Sequence, residues 1–368
     1  MAALARQLAA RTCLAAALAL GLAPLAYACT ATSALEEADA SDATGDDAGG
    51  QDASPPRRDA RPDAAEAGPD FAFRLTDGGA VRGPLVALYD HAAFWDAAAE
   101  TTYAVFDPTE YASYPDDRSV RFVSSRDLSL PVGRPAAGPH ALPDPRFRDF
   151  LRDQGLALFR PPLAGVSLVV RGNDGYHLEE NGYGHFAWDL VKLYPDGARF
   201  HGDGGANADY ATWDEPVLLP SAGYVVEVVR DGSDNPPGTT PPDAVNNFVG
   251  VWLGGHYYVY ILHFRQGTIP SEDDGTCEPA KAGIACVKVG AWLPAGTYLG
   301  RAGNAGVTLE PHVHVTLLYY DVAAAAPRTW SVPAEFADVY LSDRATGPAR
   351  LAPFAVPKTG DFISAAPF

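Results

Sequence analysis

The stretch GNAGVTLEPHVHV, Gly303 to Val315, decides how the rest of the chain is read. A glycine-rich turn leads into two histidines two residues apart. In a β-strand, residues i and i+2 point to the same face. The spacing therefore predicts His312 and His314 side by side, with Val313 and Val315 turned into a core. The run goes on as HVHVTLLYYDV, His312 to Val322, whose β-branched and aromatic residues fit one long strand. Two imidazoles on one strand face can serve a metal or a proton transfer, and a lone pair can equally be structural. Partners have to come from elsewhere in the chain.

Working outward, NNFVGVWLGGHYYVYILHF, Asn246 to Phe264, predicts two strands joined at Gly254-Gly255. PVLLPSAGYVVEVVRDG, Pro216 to Gly232, predicts strand, turn, strand. GVSLVVRG, Gly165 to Gly172, alternates, and HFAWDLVKLY, His185 to Tyr194, follows it. Before residue 160 the pattern is weaker. FAFRLTD, VRGPLVALYD and SVRFVSSRDLSLPVG look like strands, HAAFWDAAAE like a short helix, and PRFRDFLRDQGLALF has a helical pattern. In the tail, PAEFADVYL and ARLAPFAV are expected as edge strands. The 36 Gly, 32 Pro, 17 Tyr and 16 Phe among 368 residues suit a turn-rich β protein.

The net charge of -19 leaves no basic stripe, so nucleic acid is not an expected partner. Much of that charge lies outside the expected domain. Residues 30–70 hold 11 acidic and 3 basic residues and almost nothing apolar larger than alanine. Such a segment cannot offset its ordering entropy by burial and is expected to be a disordered tether. Ahead of it, Arg6 and Arg11 precede the apolar run Leu14 to Ala28, the pattern of an export signal over residues 1–28. Ala26-Tyr27-Ala28 offers an ordinary cleavage site. Cys29 directly afterwards offers a second ending, a lipid-anchored protein of the periplasm or cell envelope. Cys277 and Cys286 bracket a short polar loop, and in an oxidising compartment a disulfide between them is expected.

Candidate chemistry gathers on the predicted strands. Asp189 sits in an otherwise apolar run, where a carboxylate is costly unless paired or metal-bound. His185 stands four residues before it, which on a continuous strand gives one face. His263 ends the second hairpin strand, and His177 lies in the turn-rich GNDGYHLEENG. A catalytic zinc takes three protein ligands and keeps one position open, and further imidazoles beside it can handle protons. His201, Asp203 and Asp209, in a long loop, read as solvated residues.

The run VKVGAWLPAGTYLGRAGNAGVTLEPHVHV, Val287 to Val315, carries V-x-V-G, then G-x-x-x-G-x-x-G-N-x-G, then P-H-x-H. With PVLLPSAGYVVEV and YILHF, it resembles the lysostaphin-like zinc metalloendopeptidases, which cut peptide bridges of peptidoglycan. The resemblance spans roughly residues 165–322. It implies a mainly β fold: an antiparallel β-sheet metallopeptidase domain of the lysostaphin-like, duplicated-hybrid-motif type, here with an N-terminal elaboration. The expected division is an accessory region over 71–160, a peptidase domain over 161–322 and a C-terminal extension over 323–368. Asp189 and His314 match the family's zinc ligands, and His263 and His312 match its catalytic histidines. Two positions stay open for the remaining ligand. His185 fits a compact H-x-x-x-D form, with Ala187 where that form has glycine. His177 fits a form with a longer first loop. The implied activity is Zn²⁺-dependent hydrolysis of peptide stems or cross-links of peptidoglycan. The alternative is a non-catalytic peptidoglycan-binding or regulatory module of the same fold. An insertion over 271–286 and a long loop over 194–216 depart from the family pattern.

Overall fold

Alternation of apolar residues writes most of the strands. In chain order they are β1 (Phe71–Arg74), β2 (Ala80–Gly83), β3 (Leu85–Asp90), β4 (Thr101–Phe106) and β5 (Val120–Ser124). After the helix α1 (Pro145–Asp153) come β6 (Ser167–Arg171), β7 (Trp188–Val191), β8 (Pro216–Leu218) and β9 (Gly223–Val229). The hairpin β10 (Phe248–Gly254) and β11 (Tyr257–Leu262) is followed by β12 (Trp292–Leu293) and β13 (Tyr298–Arg301). The long β14 (Val313–Asp321) precedes β15 (Arg328–Ser331), β16 (Phe336–Ser342), β17 (Arg350–Ala355) and β18 (Phe362–Ser364). The computed structural model describes residues 70–90, 101–107, 119–129, 144–158, 160–172, 184–272, 275, 277, 285–321 and 328–368. All of them fall in one unit, Ala67–Phe368.

One eleven-stranded sheet organises this unit, in the order β12-β9-β10-β11-β14-β7-β6-β18-β16-β17, with β15 also paired to β14. Its strand pairs are antiparallel. The protein is thus mainly β and largely antiparallel. ARLAPFAV supplies the edge strand β17, as expected. PAEFADVYL does not lie at an edge: β16 pairs with β17 on one side and β18 on the other. Its Phe336, Ala337 and Val339 are buried, which an edge position would not require.

The two faces of the sheet differ. On β14, Val313, Val315, Leu317 and Tyr319 enter the main core, together with Leu190 and Trp188 of β7 and Val249, Val251, Val259 and Ile261 of the hairpin. Residues from the N-terminal strands and α1 belong to the same cluster, including Tyr89, Phe106, Phe147 and Leu151. Asp144 caps α1 by accepting from the Arg146 N–H at 2.9 Å, and Pro145 opens the helix where its missing donor does no harm. Phe147 and Leu151, i and i+4, then share the buried helix face. On the opposite face of β14 stand His314 and Thr316.

The bracketing cysteines are joined, Cys277 to Cys286, as expected. The expected helix at 91–100, the leader, residues 30–69 of the tether and Cys29 all lie outside the described residues.

Candidate metal and proton-transfer site

Register assembles the site. His314 on β14 is directly opposite Asp189 on β7, and on its other side opposite Leu262, the last residue of β11. Directly opposed residues of antiparallel strands project together. Asp189 Oδ1 lies 3.0 Å from His314 Nδ1 and 3.3 Å from His312 Nε2. His312 sits one residue before β14 yet still brings its ring to the same carboxylate. His263 follows β11 with φ +68, a left-handed conformation unusual for a side-chain-bearing residue. That turn places its ring centroid 4.6 Å from His312 and 5.8 Å from His314.

Glycines of the GNAG turn make this close packing feasible. A Cβ on Gly303 would lie 2.3 Å from the backbone of Arg265, and the Gly303 N–H donates to the His263 carbonyl at 2.8 Å. Gly306 has φ +99 and lies against Asn246. Between them, Asn304 is fully buried. It donates to Asn207 Oδ1 at 3.0 Å and to the Asn235 carbonyl at 3.1 Å. Its own Oδ1 faces the Thr308 hydroxyl at 3.0 Å, and Thr308 Oγ1 lies 3.2 Å from His312 Nδ1. The motif thus connects to the site through Asn304 and Thr308, neither of which stands out in the sequence as a site residue. The only sequence signal was Asn304 within G-N-x-G.

The imidazole tautomers follow from their partners. His263 Nδ1 lies 2.8 Å from the Ala305 carbonyl, and His312 Nδ1 lies 2.9 Å from the Glu310 carbonyl. A carbonyl can only accept, so in each neutral ring Nδ1 carries the hydrogen. Nε2 of both rings is left with its lone pair. Burial holds the His263 imidazole well below the usual histidine range, and the neighbouring His312 and His314 push the same way. The Ala305 bond and Asp189 oppose this shift. His263 is therefore kept as a neutral base.

His263, His312 and His314 offer ring nitrogens within 4.8 Å of one another, a cluster compatible with zinc coordination. Zinc accepts imidazole nitrogen and carboxylate oxygen at about 2.0–2.2 Å, which sets neighbouring tetrahedral ligand atoms roughly 3.3 Å apart. The contact of Asp189 Oδ1 with His314 Nδ1, at 3.0 Å, is close to that spacing. Donor chemistry and spacing both fit.

The structure brings together Asp189, His263, His312 and His314. His185 is not one of the three clustered histidines. Residues 184–186 form a turn and β7 starts only at Trp188, so the i,i+4 same-face expectation has no continuous strand to act on. The His185 ring packs instead against Tyr89 at 4.8 Å and Phe186 at 4.9 Å. His177 lies outside the described residues. In the long loop, His201 stacks on Tyr194 and meets Asp196 at 3.1 Å.

No family model matches the chain, and no curated protein does. Among solved structures, the catalytic domain of a prophage-encoded M23 protein from Enterococcus faecalis is similar at 16% identity and TM-score 0.26, over 44% of this chain and 87% of that one. A zinc-containing peptidase from Vibrio cholerae shows 16% identity and TM-score 0.25, over 60% of this chain and 44% of that one. The catalytic domain of lysostaphin, an antimicrobial peptidase from Staphylococcus simulans, shows 18% identity and TM-score 0.20, over 47% of this chain and 85% of that one. At such TM-scores these likenesses carry no argument, and the function rests on the chain's own residues.

Proposed function

We propose that the protein is a zinc-dependent endopeptidase that hydrolyses peptide stems or cross-links of bacterial peptidoglycan. One observation carries the proposal. A buried carboxylate meets His314 Nδ1 at 3.0 Å, while two further histidines present Nε2 to the same place with their Nδ1 atoms held by carbonyls. The match of VKVG, GRAGNAG and PHVH to the lysostaphin-like pattern supports the substrate class. The same reading takes the sheet to be of the duplicated-hybrid-motif type. It also takes residues 1–28 as an export signal, 30–70 as a tether and Cys29 as a possible lipid site.

Asp189 and His314 would hold the zinc, with a third histidine. His177 is proposed for that place, because it fits the form with a longer first loop and the chain still turns at 184–186, before β7 begins. Bound zinc supplies a Lewis acid that polarises the peptide carbonyl and lowers the pKa of water. His263 and His312 divide the remaining work. One accepts the proton of the attacking water at Nε2. The other, once protonated there, donates a hydrogen bond to the oxyanion. The backbone bonds at both Nδ1 atoms fix the ring orientations that this division requires.

The test is direct. Purified protein should contain about one zinc per chain and release new amino groups from purified sacculi. A chelator should abolish both, and added zinc should restore both. Zinc content without any cleavage of sacculi would move the assignment to the non-catalytic binding module.

A further inference from the structure

The face that carries His314 also carries an acid for which the proposed chemistry has no use. Glu227 lies on β9 and is 8% exposed. Its place follows from register. Thr316, two residues after His314, is opposite Tyr260, Tyr260 is opposite Gly250, and Gly250 is opposite Glu227. All four therefore share the face of His314. Gly250 leaves room in this row: a Cβ there would meet the Tyr260 ring at 2.7 Å. Across that gap the Tyr260 hydroxyl donates to Glu227 Oε2 at 2.8 Å.

The surroundings of this carboxyl suit a visiting cation. Burial pushes it up to about 7, and the Tyr260 bond only partly opposes that. Among the described residues the Tyr260 hydroxyl is its one donor, and no lysine, arginine or histidine pairs with it. A buried acid without a cation is unfavourable, and an incoming ammonium would relieve the cost. Aromatic rings stand on both sides of the row. The Phe248 ring is 5.6 Å from Tyr260, and the next row aligns Tyr258, Trp252, Tyr224 and Trp292. Such rings lower the local dielectric and attract ammonium groups through their faces.

We propose that Glu227, oriented by Tyr260, selects substrate peptides that carry a free amine, by receiving the ammonium group at the far end of the site face. This rests on the peptidase reading above and names a property of its substrate. Three inter-strand steps separate β9 from β14, so the amine would sit roughly 15 Å from the cleaved bond. An extended peptide covers that span in about four or five residues, fewer if the amine ends a long side chain. Tyr260 acts as a positioning residue, since its hydroxyl keeps the carboxyl turned along the row.

The experiment compares purified sacculi with the same sacculi after acetylation of their free amines. Binding of the zinc-loaded full chain is measured by co-sedimentation on ice, and cleavage by release of amino groups on warming. Wild-type protein should bind and cleave native sacculi at least ~10-fold better than acetylated ones, the scale of a hydrogen bond to a charged group. Glu227→Gln should treat both alike, at the wild-type level for acetylated material. Tyr260→Phe should keep a reduced preference. Glu272→Gln removes the same charge from an exposed site and should keep the full preference. Equal handling of both sacculi by wild type, or a preference that survives Glu227→Gln, overturns the proposal. Binding to neither form refutes the peptidoglycan reading itself and takes the amine proposal down with it.

Discussion

Two sets of buried histidines in this molecule have almost the same exposure and very different company. His185 is 1% exposed and lies against Tyr89 and Phe186. His314 and His263 are 2% and 4% exposed and lie against a carboxylate, a carbonyl and each other. Burial does not distinguish them. Partners do: aromatic neighbours make a histidine part of a packed core, while a convergence of nitrogen and oxygen donors makes a site for a cation or a proton.

The sharpest way to break this contrast is to remove a donor from the convergent set. His314→Ala and Asp189→Asn are each expected to reduce bound zinc to near zero and sacculus hydrolysis to background. Three-ligand sites tolerate the loss of one ligand poorly. Elemental analysis of purified variants measures the first effect. Zinc content unchanged in both variants would show that the convergence is structural only.

Next in size is the loss of proton transfer with the metal retained. His263→Ala and His312→Ala should keep about one zinc per chain and lose hydrolysis by roughly 10²–10⁴-fold. Either variant losing zinc in step with activity would make that histidine a ligand, in line with the three-histidine cluster.

How much of this was legible beforehand depends on where strands begin and end. The i,i+2 spacing of His312 and His314 was informative because a long strand follows directly. Its valines entered the core as the alternation required. The four-residue spacing of His185 and Asp189 had the same logic but no strand under its first half. Nothing in HFAWD marks Trp188 as the first paired residue, because that boundary is set by pairing with β6 and β14, far away in sequence. Long-range pairing also made PAEFADVYL an interior strand. Thr308 and Glu227 were illegible for a related reason. One acts through a ring four residues away across a turn, the other through a tyrosine on a strand two places over in the sheet.

A pair of substitutions then sharpens the contrast within one stretch of chain. His177→Ala should behave as the His314 change does and lose zinc. His185→Ala should keep zinc and much of the activity, yet lower stability by about 2–4 kcal/mol, because it empties a space between aromatic rings. Denaturant melts and elemental analysis on both proteins decide the matter. Zinc lost from the His185 variant and kept by the His177 variant would reverse the assignment.

The smallest effect concerns a buried acid that belongs to neither set. Glu227 has one hydroxyl partner, and its carboxyl is pushed up to about 7 from an ordinary value of 4.5, chiefly by burial. Between those values the folded protein binds a proton that the unfolded chain has released. Stability must therefore fall as pH rises through about 4.5 to 7, then level off, with a loss of about 3 kcal/mol. Glu227→Gln keeps a group that can accept from Tyr260 and does not titrate. Its stability relative to wild type should rise across that window and stay constant above it. Urea melts of the two proteins at pH 5 and pH 8 provide the comparison, and the other carboxylates cancel in the difference. Equal differences at both pH values would mean that the hydroxyl alone keeps the acid ionised. Glu227 would then lie closer in character to Asp189, which lies 3.0 Å from His314 Nδ1, than to a group held neutral by its surroundings.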